Sequence, residues 1–344
     1  MLEVCVLIVT YGRRRHLLEE VLLSLLRLNI CRIVIFDNAS DEKIQSLFER
    51  NELIGKHRDK IKIFSSDINM GSAGGFKEGL EILSKQNDCD YIWLLDDDNK
   101  PHKNALNALL KAHEHLTMQY KDTDFCLLSH RRDRKFQVLM LQGGKTERVF
   151  PRQSEFIGVH ILDLAKKFTQ FVSRRVFTKK VNSGRLYCKD IVELPFAPFG
   201  GLFIKRSLLD EVGFPKSDFF LYGDDQEFTY RINQSGVKIF LVALSVIEDI
   251  DASWQTKEKG DIQFSRFFKS NKDERLYYFI RNHAYLDSHL FKKSRCLYFM
   301  NKRLFLVTCW VVSKFFKDSK KYRLIKAAID DGENSKLGVN EHIG

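Results

Sequence analysis

IWLLDDDN, residues 92–99, runs from four large apolar side chains straight into three consecutive aspartates. A short unbroken apolar run suits a strand enclosed on both faces, as in a parallel sheet covered by helices. Three carboxylates at the mouth of such a strand repel one another, and nothing in the fold requires them. A divalent cation would relieve the repulsion, and Mg²⁺ or Mn²⁺ prefers carboxylate and phosphate oxygens. Side chains alternate along an extended segment, so Asp96 and Asp98 face the same way and are able to share one metal. The plain alternative is a solvated acidic turn capping the helix expected after Pro101.

Outward from this stretch the chain alternates regularly. Val4–Val9 is another continuous apolar run, and HLLEEVLLSLLRL (16–28) has helical periodicity. Arg32–Phe36 reads as a second strand ending at Asp37-Asn38-Ala39-Ser40, whose small polar residues suit a helix cap. Lys62–Ser65 is a third strand, followed by a glycine-rich turn and a helix from Gly71 to Leu83; Tyr91–Leu95 is a fourth. The expected fold class is α/β, a Rossmann-like, mostly parallel sheet with a helical C-terminal region. Ligands of such sheets bind at the carboxyl ends of the strands, and Thr10-Tyr11, Asp37, Asn69–Gly75 and Asp96–Asp98 all fall there.

Residues 130–190 are irregular and basic. A second structured block begins at ELPFAPFGGLFIKRSLLDEVGF and continues through FFLYGDDQEFTYRINQSGVKI to a strand at Phe240–Ile247, and from Phe264 the chain reads as helical, aromatic and basic. The expected organisation is one domain over 1–262, in two halves 1–125 and 126–262, followed by a helical region 263–344.

Two further motifs carry chemistry. DINMGSAGGF (67–76) opens a helix and suits phosphate or ribose contact through backbone N–H groups, although it is neither G-x-G-x-x-G nor a P-loop. FFLYGDDQEFTYRI (219–232) places Asp224, Asp225 and Glu227 ahead of a helical stretch. Acids are common in a first helical turn because they suit the dipole. Two acidic clusters in one cleft have a chemical logic, however: one holds a metal and a leaving diphosphate, the other supplies a base. His113 and His115, two apart on a helix, diverge and read as surface residues.

Composition narrows the class. The net charge of +11 is concentrated: residues 255–330 hold 18 Lys or Arg against 7 Asp or Glu, an excess equal to that of the whole chain. Such a region can face nucleic acid, an anionic membrane or a polyanion. Seven scattered cysteines without a C-x-x-C pair suit a reducing compartment. The N-terminal apolar run has basic residues after it rather than before it, which reads as a buried strand and not a signal peptide. No stretch reaches the roughly 18–20 apolar residues that span a bilayer. Residues 291–323 place an apolar centre between two basic clusters, which suits amphipathic helices that either lie in a membrane interface or pack on the catalytic domain or a second copy.

Taken together, VLIVTYGRR, IVIFDNASDE, INMGSAGGF and LLDDDNKP resemble family 2 of the glycosyltransferases, which have the GT-A fold, in order and spacing. PFGGLFIKRSLLDEVGFP, FFLYGDDQEFTYRI, RLYYFIRNHAYL and AIDDGENSKLG extend the likeness, and similar segments occur in bacterial galactofuranosyl- and rhamnosyltransferases of surface-glycan synthesis. The resemblance implies a metal-dependent inverting transferase. Thr10, Tyr11, Arg13 and Asp37 would bind the nucleoside, with Asp37 accepting from the uracil N3–H. Asn69, Gly71 and Gly74 would line the diphosphate and ribose, with Asp96 and Asp97 beside them. Asp98 and Asp96 would hold Mn²⁺ or Mg²⁺. Asp225 matches the base, with Asp224 beside it, and Gly200, Gly201 and Tyr222 fall to the acceptor. Relatives carry a metal-binding His after the strand that follows the base; here SVIEDIDASW has none, and Glu248, Asp249 or His283 is the expected substitute. The run GDDQE resembles the UDP-galactofuranose users, with dTDP-rhamnose as the alternative donor. The implied partners are a nucleotide-sugar donor, a glycan or lipid-linked glycan acceptor such as O-antigen or capsule, a membrane surface and a second copy in a homo-oligomer. The implied location is the cytoplasmic face of the cell membrane. A nucleic-acid-binding protein is the contrasting class, disfavoured because an acidic cleft repels phosphates. A non-catalytic sugar-nucleotide binder would lack the base that Asp225 provides.

Overall fold

The computed structural model describes residues 2–86, 89–121, 123–162, 189–251, 263–269 and 272–340. The chain divides into two compact units. The first comprises Met1–Thr146, Tyr187–Phe220 and Asp224–Lys257; the second comprises Glu147–Leu186, Leu221–Gly223 and Glu258–Gly344. The second unit therefore takes a short segment just ahead of Asp224 as well as the C-terminal region.

The first unit is built on one nine-stranded sheet. Its strands are β1 (Val4–Gly12), β2 (Arg32–Ser40), β3 (Ile61–Ser66), β4 (Tyr91–Asp96), β5 (Asn99–Pro101), β6 (Phe125–Arg131), β7 (Ile191–Leu194), β8 (Leu202–Lys205) and β9 (Lys238–Asp249). The order is β3-β2-β1-β4-β8-β6-β9-β5, with β7 also paired to β9. β3, β2, β1 and β4 are parallel, as expected of runs such as Val4–Val9 that are buried on both faces. β8 then enters antiparallel between β4 and β6, and β6 runs parallel to β9. The register between β6 and β9 slips after Ser129, a bulge that bends β9 so that its far end turns to pair with β5.

The helices of the first unit include α1 (Arg15–Leu25), the short α2 (Leu47–Arg50) and α3 (Glu52–Lys56), α4 (Gly71–Ser84), α5 (Ala105–Gln119) and α6 (Lys135–Leu141). After α7 (Thr146–Val149), where the units divide, the first unit continues with α8 (Leu208–Val212) and α9 (Asp224–Gln234). Leu18, Val21, Leu22 and Leu25 of α1 pack on β1 and β2 with Leu106 and Leu109 of α5, at the i, i+3, i+4, i+7 spacing of a half-buried helix. α4 lies close on β1: a Cβ on Gly75 or Gly79 would stand 2.6 Å from Val9 Cγ1 or 2.5 Å from Leu7 Cδ1.

The second unit is helical, with α10 (Gln263–Lys269), α11 (Asp273–His289), α12 (Arg295–Phe316) and α13 (Ser319–Glu333). Phe156, Phe264, Phe267, Phe305 and Tyr298 form its aromatic centre. Buried polar groups tie the preceding loop to it: Asn301 Nδ2 donates to the Ser154 carbonyl at 2.8 Å, and the Ile157 N–H donates to Asp287 at 2.6 Å. The AIDDGENSKLG motif is accounted for by packing, since a Cβ on Gly332 would meet the Arg281 carbonyl oxygen at 2.1 Å, so only glycine lets α13 lie on α11. Among the described residues no helix is long and apolar enough to cross a membrane.

Candidate active site

The polar ends of β1, β4 and β9 are joined by one guanidinium. Arg14 Nε donates to Asp97 Oδ1 at 2.8 Å, Nη2 to Asp98 Oδ2 at 2.6 Å and Nη1 to Asp251 Oδ2 at 2.7 Å. Thr10 Oγ1 donates to the other oxygen of Asp97 at 2.8 Å, and Asn99 Nδ2 donates to Asp98 Oδ1 at 2.6 Å. Both oxygens of Asp97 and of Asp98 are thus engaged. Burial pushes each carboxyl up to about 6; for Asp98, repulsion from Asp96 and Asp249 adds to this while Arg14 opposes it. Burial works against the Arg14 charge, but Asp97, Asp251 and Asp98 outweigh it and hold the guanidinium above its ordinary value. Arg13, expected to contact the nucleoside, is exposed and pairs with Asp41 at 3.0 Å.

Asp96 is arranged differently. Burial pushes it up to about 6, Arg131 and Arg134 oppose the rise, and Asp97 and Asp225 add to it. No described residue hydrogen-bonds its carboxylate. Beside it lies Asn99 Oδ1, a fully buried acceptor that also has no hydrogen-bond partner. Both oxygens face Gly200, where a Cβ would stand 2.2 Å from Asn99 Oδ1 and 2.6 Å from Asp96 Oδ2. Gly200, expected to serve the acceptor, is therefore glycine because these two oxygens leave no space for a side chain. Gly201 (φ +97°) packs against Ser129 and Ile247, which seats β8 between its neighbours.

Two unpartnered oxygen acceptors with no donor between them are a donor set that a hard divalent cation fits. Among the described residues no three His, Cys, Asp or Glu side chains converge on one point. Mg²⁺-type sites commonly use one or two carboxylates and complete their shell with substrate phosphates and water. The residues present fit a cation held by Asp96 and the side-chain carbonyl oxygen of Asn99.

The candidates for a third ligand, Glu248, Asp249 and His283, have different surroundings. Glu248 is exposed and points to His102, 3.7 Å away. Strand alternation turns the next residue, Asp249, inward, where it accepts from Arg131 Nη2 and from the Asp251 N–H at 3.1 Å. Arg131 is also held by Asp133 at 3.0 and 3.2 Å. His283 belongs to the second unit, where burial lowers its pKa and Phe279 O shares a hydrogen bond with its Nδ1.

The other acidic cluster opens α9. Asp224 is buried and accepts from Ser72 Oγ at 2.7 Å, which ties it to the glycine-rich turn; burial and then Asp225 push it up to about 7. Asp225 accepts from the Gln226 N–H at 2.8 Å; burial raises it to about 6, against that N–H and the charge of Arg134. Glu227 is held by Lys216 at 3.0 Å and Arg231 at 3.2 Å, a structural arrangement. Thr229 exchanges 2.9 Å hydrogen bonds with both Ala197 backbone groups, which fixes α9 against the loop leading to Gly200.

Along the β2 end, Asp37 is buried and caps the Ser40 N–H at 2.9 Å. Asn38, read from the sequence only as part of a polar helix-cap segment, organises the glycine-rich turn. Its amide accepts from Met70 N–H at 2.9 Å and donates to Gly71 O at 2.9 Å and Asn69 Oδ1 at 3.1 Å. Gly71 has φ +70°, and a Cβ there would stand 1.9 Å from the Phe220 carbonyl oxygen, so no other residue fits. Gly74 faces the Met70 Cβ within the first turn of α4. Tyr11 is exposed at the end of β1, with Arg14 over its ring at 5.4 Å. Tyr222 has a positive φ and lies in the second unit, where its ring meets Phe279.

The stretch from β1 to the start of β6 thus carries the acid-bearing strand ends and the glycine-rich turn. Residues 5–125 match the profile described as glycosyl transferase family 2. This region is similar to family 2 glycosyltransferases. The chain is also similar to galactofuranosyltransferase GlfT1 of Mycolicibacterium smegmatis (strain ATCC 700084 / mc(2)155), 24% identical over 238 residues. That match covers 68% of this chain and 66% of the relative, just under two thirds of the latter's length. The fold is shared with GalNAc-T7, solved with UDP, GalNAc and Mn²⁺: TM-score 0.50 and 17% identity, over 84% of this chain and 48% of that one.

Proposed function

We propose that the first unit transfers a sugar from a nucleoside diphosphate donor to a glycan hydroxyl with inversion, using Asp225 as base. The observation that carries this reading is that Thr229 ties α9, which opens with Asp224 and Asp225, to the Ala197 backbone just ahead of Gly200, the residue packed against Asp96 Oδ2. Between Asp224 and Asp225, the geometry favours the second. Asp224 accepts from the Ser72 side chain and is tied to the glycine-rich turn, whereas Asp225 accepts from the Gln226 N–H of its own helix.

In the reaction, Asp225 takes the proton of the acceptor hydroxyl as that oxygen attacks the anomeric carbon. The bond from that carbon to the diphosphate oxygen breaks on the opposite face, so the configuration inverts. The nucleoside diphosphate departs and the proton rests on Asp225. The glycine-rich turn at Gly71 would lie along the diphosphate, and Asp37 with Thr10 and Tyr11 would take the nucleoside. A bound Mn²⁺ or Mg²⁺ would neutralise charge developing on the leaving diphosphate. UDP-galactofuranose is the donor favoured by the GDDQE run and by likeness to a galactofuranosyltransferase; dTDP-rhamnose is the alternative.

The assignment of Asp225 sets the pH dependence. A base raised to about 6 is active only when ionised, so turnover is expected to fall tenfold per pH unit below about 6. Stability runs the other way. Carboxyls raised above their unfolded value stabilise the fold below that value, about 4, and the contribution is lost as pH rises through 6 to 7. Initial rates and urea midpoints measured from pH 5 to 8 are expected to move in opposite directions. Turnover unchanged down to pH 5 would contradict Asp225 as the base.

A further inference from the structure

The second unit carries a surface that the transfer chemistry does not use. On α12, Tyr298, Asn301, Phe305, Cys309 and Ser313 are buried, at three- and four-residue spacing. The opposite face exposes Phe299, Met300, Val307, Trp310, Val311 and Phe315, the last 81% exposed. Globular surfaces rarely set so many large apolar side chains side by side without a partner. Cations share this face: Arg303 lies over the Phe299 ring at 5.3 Å and Lys314 over Trp310 at 5.8 Å. At its ends Lys292, Lys293, Arg295, Lys317, Lys320 and Arg323 supply further positive charge. The single acid between residues 291 and 323 is Asp318, half-buried and capping the Lys321 N–H at 2.8 Å.

We propose that this face of α12 rests on an anionic phospholipid surface, with the helix in the plane of the membrane. The aromatic and aliphatic side chains would enter the headgroup boundary while the Lys and Arg stems reach up to the phosphates. The helix does not cross the bilayer, because Arg295, Lys302, Arg303 and Lys314 interrupt its 22 residues. A second copy of the chain fits poorly. A two-fold contact sets each patch against itself and brings these cations together without an acid to answer them. Nucleic acid would meet the charges but leave Val307, Val311 and Met300 unused.

A chain cut near Lys292 is a poor probe of this surface. Removing α12 would uncover Phe156 by taking away Phe305, so the full chain with surface substitutions is the right one. The wild-type chain is expected to co-sediment with vesicles of phosphatidylcholine and phosphatidylglycerol (about 7:3) at low salt, where anionic headgroups attract each nearby Lys or Arg. Binding should weaken at least tenfold in high salt and on pure phosphatidylcholine. Trp310→Ser with Phe315→Ser should lower binding to the anionic vesicles at least tenfold while circular dichroism and the melting temperature stay unchanged. Val307→Asn with Val311→Asn gives the same reading should the first pair not fold. Wild-type protein that ignores both vesicles, binding that survives both pairs of substitutions, or a stable dimer that the substitutions dissociate would overturn the proposal. None of these readouts depends on sugar transfer, so they separate this surface from the catalytic reading.

Discussion

Asp225→Asn is expected to lower turnover by about 10²–10⁴-fold, the usual contribution of a positioned general base, while donor binding changes little. The amide keeps the shape of the carboxylate and can still accept from the Gln226 N–H, so the start of α9 should stay intact. What it loses is the ability to take a proton. Removing a carboxylate that burial has raised to about 6 should also leave the fold no less stable at neutral pH. Asp224→Ala is the control. It removes the acceptor for Ser72 Oγ, so it should loosen the glycine-rich turn and raise KM more than it lowers kcat. Steady-state kinetics on both variants check this, and Asp225→Asn within threefold of wild type would mean that another group is the base.

The second large effect is on stability. Arg14→Ala leaves Asp97, Asp98 and Asp251 without their shared counter-charge, and these three side chains are only 3%, 12% and 9% exposed. Taking one partner from a buried ion pair costs about 3–5 kcal/mol. Arg14 itself is 16% exposed, which places the expected loss toward the lower end of that range. The variant should recover part of the loss as pH falls from 8 to 6, because protonation removes the repulsion that the guanidinium had balanced. Adding Asp97→Asn should be less damaging in the Arg14→Ala background than in wild type. Urea unfolding at the two pH values checks both points. A loss under about 1 kcal/mol, the size of an exposed surface pair, would contradict the clamp.

Much of this architecture was legible because it rests on local pattern. Val4–Val9, Tyr91–Leu95 and Phe240–Ile247 read as buried strands and lie within β1, β4 and β9. The helix after the glycines is where the periodicity puts it. What the sequence does not display depends on distant pairing. β5 has three residues including a proline and exists through pairing with β9, and β8 enters antiparallel between β4 and β6, strands distant from it in sequence. The same holds at the site. The three consecutive arginines at 13–15 look like a solvated charge run, yet Arg14 meets carboxylates 83, 84 and 237 positions away. Glu248 and Asp249 are indistinguishable as candidate ligands until the β9 register turns one outward and the other in. Asn99 reads as a turn residue after the aspartates, and only its buried, unanswered carbonyl oxygen beside Asp96 marks it out.

The central claim is that the two acidic clusters serve one nucleotide sugar. It is tested most directly by nucleotide release from a panel of UDP-, dTDP- and GDP-sugars, each with Mn²⁺, Mg²⁺ or EDTA and a glycan acceptor. The account predicts release from one donor class, UDP-galactofuranose first, that requires the cation and disappears in Asp225→Asn. No release from any donor, or release that continues undiminished in EDTA and in Asp225→Asn, would contradict it.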